Sequence, residues 1–505
     1  MSRLVHLALT GLCCLAVSTS VQAAATLTLS RPAGPPTTPV TVTLKGFSPG
    51  KLVDVYFDTR ARCVVVPAAN GSGTCSFAVP ATAQPRTHWI TAAVRVTGSA
   101  VQRAFVVRTD WPNAHGLTVA NDGFNRYENT ITAKNAHLLE PAWAAVPSEL
   151  VNTSPIVVGG RVYVASQAGK LHAVDAATGA AVTGFPKTLS TASGGFYSSP
   201  TIAGGIVYQA TYELDGTSKI RAYNTSTGAA VTGFPKSLAG YAYGNPIVVG
   251  GKLYIGASDG KIYGFNASTG ATLANFPITV PGSPRIISSP AYFQGFLYIG
   301  ADDGTLYGYD ATTGVLVITR PTTGSFESAS PAISGGALYY ASSVEHKLYQ
   351  VSPQDGNPWW TAPFTMDASW DGTPTIAYGK VYVTDIASKL YAIDTTDGTL
   401  AWSKAFVPLS NAAATVAGGV VFTGTEKRVF AFDASTGALL WSYGVGIGPN
   451  QSVTVANGFL YVGVSGNNPF RRGLVAFALK GAAERKASAR PSVADLVPDR
   501  TLTPQ

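Results

Sequence analysis

The chain has 505 residues, a formal net charge of +8 and only 12% charged residues, with 54 Gly, 32 Pro and 23 Tyr. It is longer than the roughly 250–300 residues at which a single core stops growing. Few charges with many Gly and Tyr disfavour a helical architecture and suit turn-rich β structure.

The first residues read as a secretory signal over 1–23. Arg3 supplies the positive start, Leu4 through Val17 the apolar stretch, and Val21-Gln22-Ala23 the small-residue cleavage site. The apolar run is shorter than the ~20 residues a spanning helix needs, so no transmembrane anchor is expected. Cys13 and Cys14 lie in this segment without the small residue before them that a lipoprotein signal requires. The mature chain then keeps Cys63 and Cys75 alone, and a disulfide between them is expected in an oxidising compartment. It would close a short loop, worth about 3 kcal/mol in the chain-entropy model.

Residues 24–108 alternate apolar and polar positions in short runs, such as Val40-Thr41-Val42-Thr43-Leu44 and Val53-Asp54-Val55-Tyr56-Phe57, with Pro and Gly clusters between them. This pattern predicts an antiparallel β-sandwich. Residues 26–108 hold nine Lys and Arg against Asp54 and Asp58, a charge of +7. The tail adds +2 and the signal +1, which leaves 109–479 near −2. The basic surface therefore belongs to the front unit, where Arg60 and Arg62 share a face. It offers a site for an anionic envelope polymer. Without interleaved aromatics it does not predict nucleic-acid binding.

From residue 151 the chain repeats itself. An apolar-aromatic strand recurs at Val162-Tyr163-Val164, Val207-Tyr208, Leu253-Tyr254-Ile255, Leu297-Tyr298-Ile299, Leu338-Tyr339-Tyr340, Val381-Tyr382-Val383, Val421-Phe422 and Leu460-Tyr461-Val462. A second strand follows each, from Leu171-His172-Ala173-Val174 to Leu474-Val475-Ala476-Phe477. Most units close on an Asp- or Asn-initiated turn ending in Gly, such as Asp175 to Gly179, with an aromatic beyond it. Repeats of about 40–46 residues with four strands each predict propeller blades. Eight is the count, with seven as the alternative. The eighth unit lacks its closing aromatic strand, and Glu140-Pro141-Ala142-Trp143 supplies one from the other end of the chain.

The Asp-x-x-Thr-Gly-x-x-x-Trp turn resembles the tryptophan-docking repeat of the PQQ-like propellers. The lead-in residues Asp110, Trp111, Asn125, Glu128, Asn135, Leu138 and Trp143 resemble the segment before that family's first blade. Gly46-Phe47-Ser48-Pro49-Gly50 and Asn70-Gly71-Ser72-Gly73 resemble bacterial immunoglobulin-like modules. The fold expected is all-β: an immunoglobulin-like sandwich over 24–108, then an eight-bladed propeller over 109–480 closed by a strand around Trp143.

Resemblance to quinoprotein dehydrogenases implies PQQ, often with calcium, on the propeller axis beneath adjacent cysteines. The mature chain has no adjacent cysteines. The residues entering the innermost strands are the candidate axial ring: Tyr197, Tyr243, Asn245, Arg285, Glu327, Trp370, Asp371, Asn411 and Asn450. Carboxylates and amides there are suitable calcium ligands, and Trp370 offers a stacking face. Gly256-Ala257-Ser258-Asp259-Gly260 matches a nucleophile elbow only in letters, because it falls at a strand–strand hairpin. The tail over 481–505, rich in Ala, Arg, Pro and Ser, reads as disordered.

The functional expectation is an exported, non-enzymatic propeller. It would bind or scaffold a protein or an envelope polymer in the periplasm, at the cell surface or outside the cell. The alternatives are a PQQ- and calcium-dependent dehydrogenase of alcohols or sugars, and carbohydrate or envelope-polymer binding through the basic front unit.

Overall fold

The computed structural model describes residues 24–503 except 147–148, 190–197, 327–328, 370–371, 407–411, 426, 446–450, 465–472, 482–489 and 498–500. The signal segment with Cys13 and Cys14 lies outside the described residues. Apart from short 3-10 turns, every described element is a β-strand.

The front unit has two sheets. Thr26–Leu29, Pro39–Lys45 and Gly73–Ala78 form one. Ala33–Gly34, Ala100–Val107, Arg86–Val94, Val53–Phe57 and Arg60–Val65 form the other. Alternation places Val40, Val42 and Leu44 inward against Val53, Val55, Ile90 and Phe105, all fully buried in one core. The Cys63–Cys75 disulfide joins the two sheets within that core.

Among the described residues, eight four-stranded antiparallel sheets follow, one of them with an added fifth strand. Sheets 1 to 7 span residues 156–188, 201–238, 247–279, 291–321, 332–365, 375–405 and 415–443. Sheet 8 combines 454–479 with Leu139–Ala145, which pairs antiparallel with Gly473–Leu479. Its fourth strand therefore comes from before sheet 1.

Sheet is tied to sheet by the aromatic of the second strand. Tyr208 Oη donates to Ala267 O at 2.8 Å, Tyr298 to Pro353 O at 2.6 Å and Tyr382 to Ala434 O at 2.8 Å. In each case the acceptor lies in the turn of the next sheet. Tyr461 of sheet 8 donates to Ala176 O of sheet 1 at 3.0 Å, which ties the last sheet to the first. A second tie is tryptophan on glycine. Trp360 covers Gly398, Trp402 covers Gly437, and Trp143 covers Gly179, each so closely that a Cβ on the glycine would lie 2.6–2.8 Å from the ring. Trp143 thus does for sheet 8 what Trp360 and Trp402 do for sheets 5 and 6.

The tail differs from the expectation of disorder over residues 490–497. The Arg490 guanidinium lies 5.4 Å from the Trp89 ring centre, Gln102 donates to Pro491 O at 2.8 Å, and Ser492 and Asp495 form a capping box around Val493–Asp495. The Val497 amide donates to Thr59 O at 2.7 Å, beside the edge strand Arg60–Val65. An open strand edge gains from such a partner. Composition does not report the match, because the contacts with the front unit are long-range.

Candidate functional site

The axis of the propeller is built from three layers of contact. The outermost is a belt of residues preceding the innermost strands. The Ser154 amide donates to Ser199 Oγ at 2.9 Å, Ser199 to Asn245 Oδ1, Asn245 to Ser289 Oγ at 2.9 Å, and Ser289 to Ser330 Oγ at 2.9 Å. Ser452 donates to Ser154 Oγ at 2.9 Å, which joins sheet 8 to sheet 1. Ser154, Ser199, Asn245, Ser289 and Ser330 of this belt each precede a proline. Proline holds its predecessor extended, and the short hydroxyl reaches the neighbouring backbone.

The second layer is threonine. Thr201, Thr375, Thr415 and Thr454 each donate to a carbonyl of the next sheet, with Thr454 reaching Pro155 O of sheet 1.

The third layer is the lead-in chain, residues 109–125, which runs inside the ring as a hoop. Trp111 exchanges backbone hydrogen bonds with Val157 of sheet 1, and Pro112 O accepts from Ile202 of sheet 2. His115 Nε2 accepts from Asn245 Nδ2 of sheet 3 at 3.1 Å. Val119, Ala120, Asp122 and Gly123 then accept from Tyr292, Ile333, Ile376 and Val416 of sheets 4 to 7. Thr109 Oγ1 accepts from Asn457 of sheet 8 at 2.7 Å. Asn125 locks the end to the start, donating to both Thr109 O and Val455 O. The hoop satisfies the inner edges that eight separate sheets would otherwise leave open. A small cavity against the hoop, lined by Trp111, His115, Asn121 and Thr375 among others, has no room for a bound molecule.

Burial governs the titratable groups of the hoop. It pushes His115 down to about 4, so the ring is neutral and its Nε2 is free to accept from Asn245. It pushes Asp122 up to about 6, against the Arg126 guanidinium 2.6 Å away. A carboxyl raised above its unfolded value costs stability wherever it is ionised, and the cost disappears as pH falls below that value. Asp122→Asn is therefore expected to raise the thermal midpoint at pH 8, and the gain should shrink as pH drops from about 6 toward 4. Equal gains at both ends, read by scanning calorimetry, would contradict this.

Of the nine candidate axial residues, Tyr243, Asn245 and Arg285 are described. Tyr197, Glu327, Trp370, Asp371, Asn411 and Asn450 lie outside the described residues. Asn245 is a belt residue, its side-chain amide spent on Ser199, Ser289 and His115. Arg285 pairs with Asp302 at 2.5 Å, and Tyr243 packs edge-on against Tyr212 and Tyr241. Asp303 accepts from Tyr307 Oη at 2.6 Å and the Thr305 amide at 3.0 Å, so this acidic pair shapes its own turn. The amide of Asn245 and the guanidinium of Arg285 are thus already partnered, while the candidate carboxylates Glu327 and Asp371 and the stacking face of Trp370 lie outside the described residues. Among the described residues no three His, Cys, Asp or Glu side chains gather as a metal site.

A further cluster, unmarked in the sequence, joins Glu149 to Ser166, Lys170 and His172. Burial raises the Glu149 carboxyl, but hydrogen bonds from Lys170, Ser166 and His172 outweigh it and hold the group at about 2. His172 Nε2 faces Glu149 at 2.7 Å, and Ser166 is fully buried. The arrangement clamps the chain entering sheet 1 and leaves no exposed nucleophile.

Recurring four-stranded sheets, tied by tyrosine to turn and by tryptophan to glycine, define a β-propeller of PQQ-like repeats. A family model described as outer membrane protein assembly factor BamB matches residues 128–286, 279–363 and 327–478. The chain belongs to this family of PQQ-like repeat proteins. No curated protein sequence matches it significantly. Among solved structures, quinohemoprotein alcohol dehydrogenase from Comamonas testosteroni aligns with TM-score 0.59 and 16% identity over 74% of this chain and 81% of that one. BamB from Moraxella catarrhalis aligns with TM-score 0.54 and 18% identity, over 68% and 98%. The computationally designed Ika8 protein aligns with TM-score 0.55 and 13% identity, over 67% and 99%. At these identities the likeness is one of fold. Among the described residues no helix is long and apolar enough to cross a membrane.

Proposed function

We propose that this chain is an exported, non-enzymatic binding or scaffolding protein: an eight-bladed PQQ-like propeller carrying an immunoglobulin-like module at its front. The observation that carries the reading is the hoop over 109–125, which fills one end of the axis with chain and spends its polar groups on the eight sheets. A dehydrogenase of this fold needs its axial groups free to hold a cofactor, whereas Asn245 and Arg285 are committed to structural partners. The family's BamB description favours a protein partner in the envelope. The Cys63–Cys75 disulfide favours an oxidising compartment.

The test is a titration of the mature protein with PQQ and excess calcium, followed by absorbance and by the thermal midpoint. The expected result is no saturable binding up to high micromolar cofactor. Saturable binding that is lost on Asp371→Ala or Glu327→Ala would replace this reading with the dehydrogenase.

A further inference from the structure

A groove of about 500 Å³ opens between sheets 5 and 6, on the side where the innermost strands end in hairpins. Its size falls in the range of small-molecule sites. Three features define it.

The first is a second tryptophan. Trp360 is the docking residue, covering Gly398 and donating to Thr395 O at 3.1 Å. Trp359, its neighbour, is 50% exposed and lines the groove. The second is Tyr378. The hairpins after the innermost strands place a residue at positive φ, and five of them use glycine there: Gly159, Gly204, Gly250, Gly335 and Gly418. Gln294 and Asn457 hold that position in two further repeats, and Tyr378 occupies it here at φ 51°, the bulkiest of the three. A bulky residue in this region is strained, and such strain gathers where a side chain is needed for contact. Its ring is 51% exposed, yet braced: Oη accepts from the Gly419 amide at 3.0 Å, and Phe124 packs on it edge-to-face at 5.0 Å. The third is the polar complement. Ser334 and Thr396 supply hydroxyl groups, while Gln350 Nε2 and Thr395 Oγ1 are spent on Tyr339, Thr395 O and Gly379 O, and the lining holds no carboxylate. Its one cation, Arg126, is paired with Asp122.

Two pre-set aromatic faces above a near-neutral rim of hydrogen-bonding groups suit a ligand with an apolar face and a hydroxylated edge. We propose that this groove binds a saccharide, its ring stacked on Trp359 and Tyr378. A peptide is the poorer occupant for β-augmentation, because the groove is lined by turns and by strand residues already paired within their own sheets, Ser334 with Ala337, Tyr339 with Gln350 and Ala377 with Lys380. The site rests on the binding-protein reading and includes none of the candidate axial residues, so the PQQ titration leaves it untouched and its failure leaves the axial question untouched.

The experiment uses the mature full chain with maltohexaose, cellohexaose and chitohexaose, read by isothermal titration calorimetry, which does not depend on the tryptophan as a probe. At least one is expected to bind with a Kd between micromolar and millimolar. Trp359→Ala and Tyr378→Gly should each weaken it by about tenfold or more, which is about 1.4 kcal/mol. Trp359→Ala should leave the thermal midpoint unchanged, and Leu214→Ala, at an 84% exposed position elsewhere, should leave the affinity unchanged. Absence of heat with all three sugars, or binding undiminished by both groove substitutions, overturns the proposal.

Discussion

Trp111→Ala is expected to destabilise the propeller by about 3–5 kcal/mol, the range for removing a large aromatic from a packed core. Trp111 is fully buried and belongs to a cluster with Tyr163 and Val164 of sheet 1 and Ala456 and Tyr461 of sheet 8. It sits where the hoop begins, so its ring fills the seam between the first and last sheets. Its backbone is fixed by two hydrogen bonds to Val157, at 2.6 and 2.9 Å, and little can move in to fill the void. Urea unfolding followed by tryptophan-independent circular dichroism measures the loss as a lowered midpoint. A shift below about 1 kcal/mol, the range of ordinary surface substitutions, would mean that the hoop is held loosely.

The second large effect is expected at Gly179. Its φ is +72°, and a Cβ there would stand 2.6 Å from Cε3 of Trp143. Gly179→Ala combines an unfavourable backbone region with a collision, and the ring that must yield is the one joining sheet 8 to sheet 1. A loss of about 2–4 kcal/mol is expected. Trp143→Ala removes the same contact together with the packing on Tyr461, whose ring centre lies 5.9 Å away. In the double variant the collision is absent, so the combined loss should fall short of the sum by 1 kcal/mol or more. Additive losses would show that Trp143 does not rest on Gly179.

Much of this architecture was legible because it repeats. The Tyr of each second strand, the Asp/Asn-to-Gly turn and the docking tryptophan are local patterns, and their recurrence shows which residues must meet between neighbouring repeats. The Trp143 strand could be read for the same reason, as a missing piece found elsewhere in the chain. The hoop could not. Residues 109–125 have no β-alternation, and their partners, from Val157 to Asn457, are spread over 300 residues of sequence. Asn245 is recognisable in the sequence as preceding an innermost strand, but the pairing of its amide with Ser199 and Ser289 is set by the neighbouring sheets. The groove was hidden for a different reason. Trp359 reads as a doubled docking residue and Tyr378 as a hairpin residue, and only the fold shows both rings open to one cavity.

The hoop is the feature on which the functional reading depends, and amide hydrogen exchange of the mature protein tests it most directly. If the lead-in seals the axis, the amides of Trp111 and Gly123, and those of Ile202, Tyr292, Ile333, Ile376 and Val416 that donate to it, should exchange as slowly as the strand cores. Exchange of these amides at the rate of exposed loops would mean an open axis, accessible to a ligand, and would contradict the account.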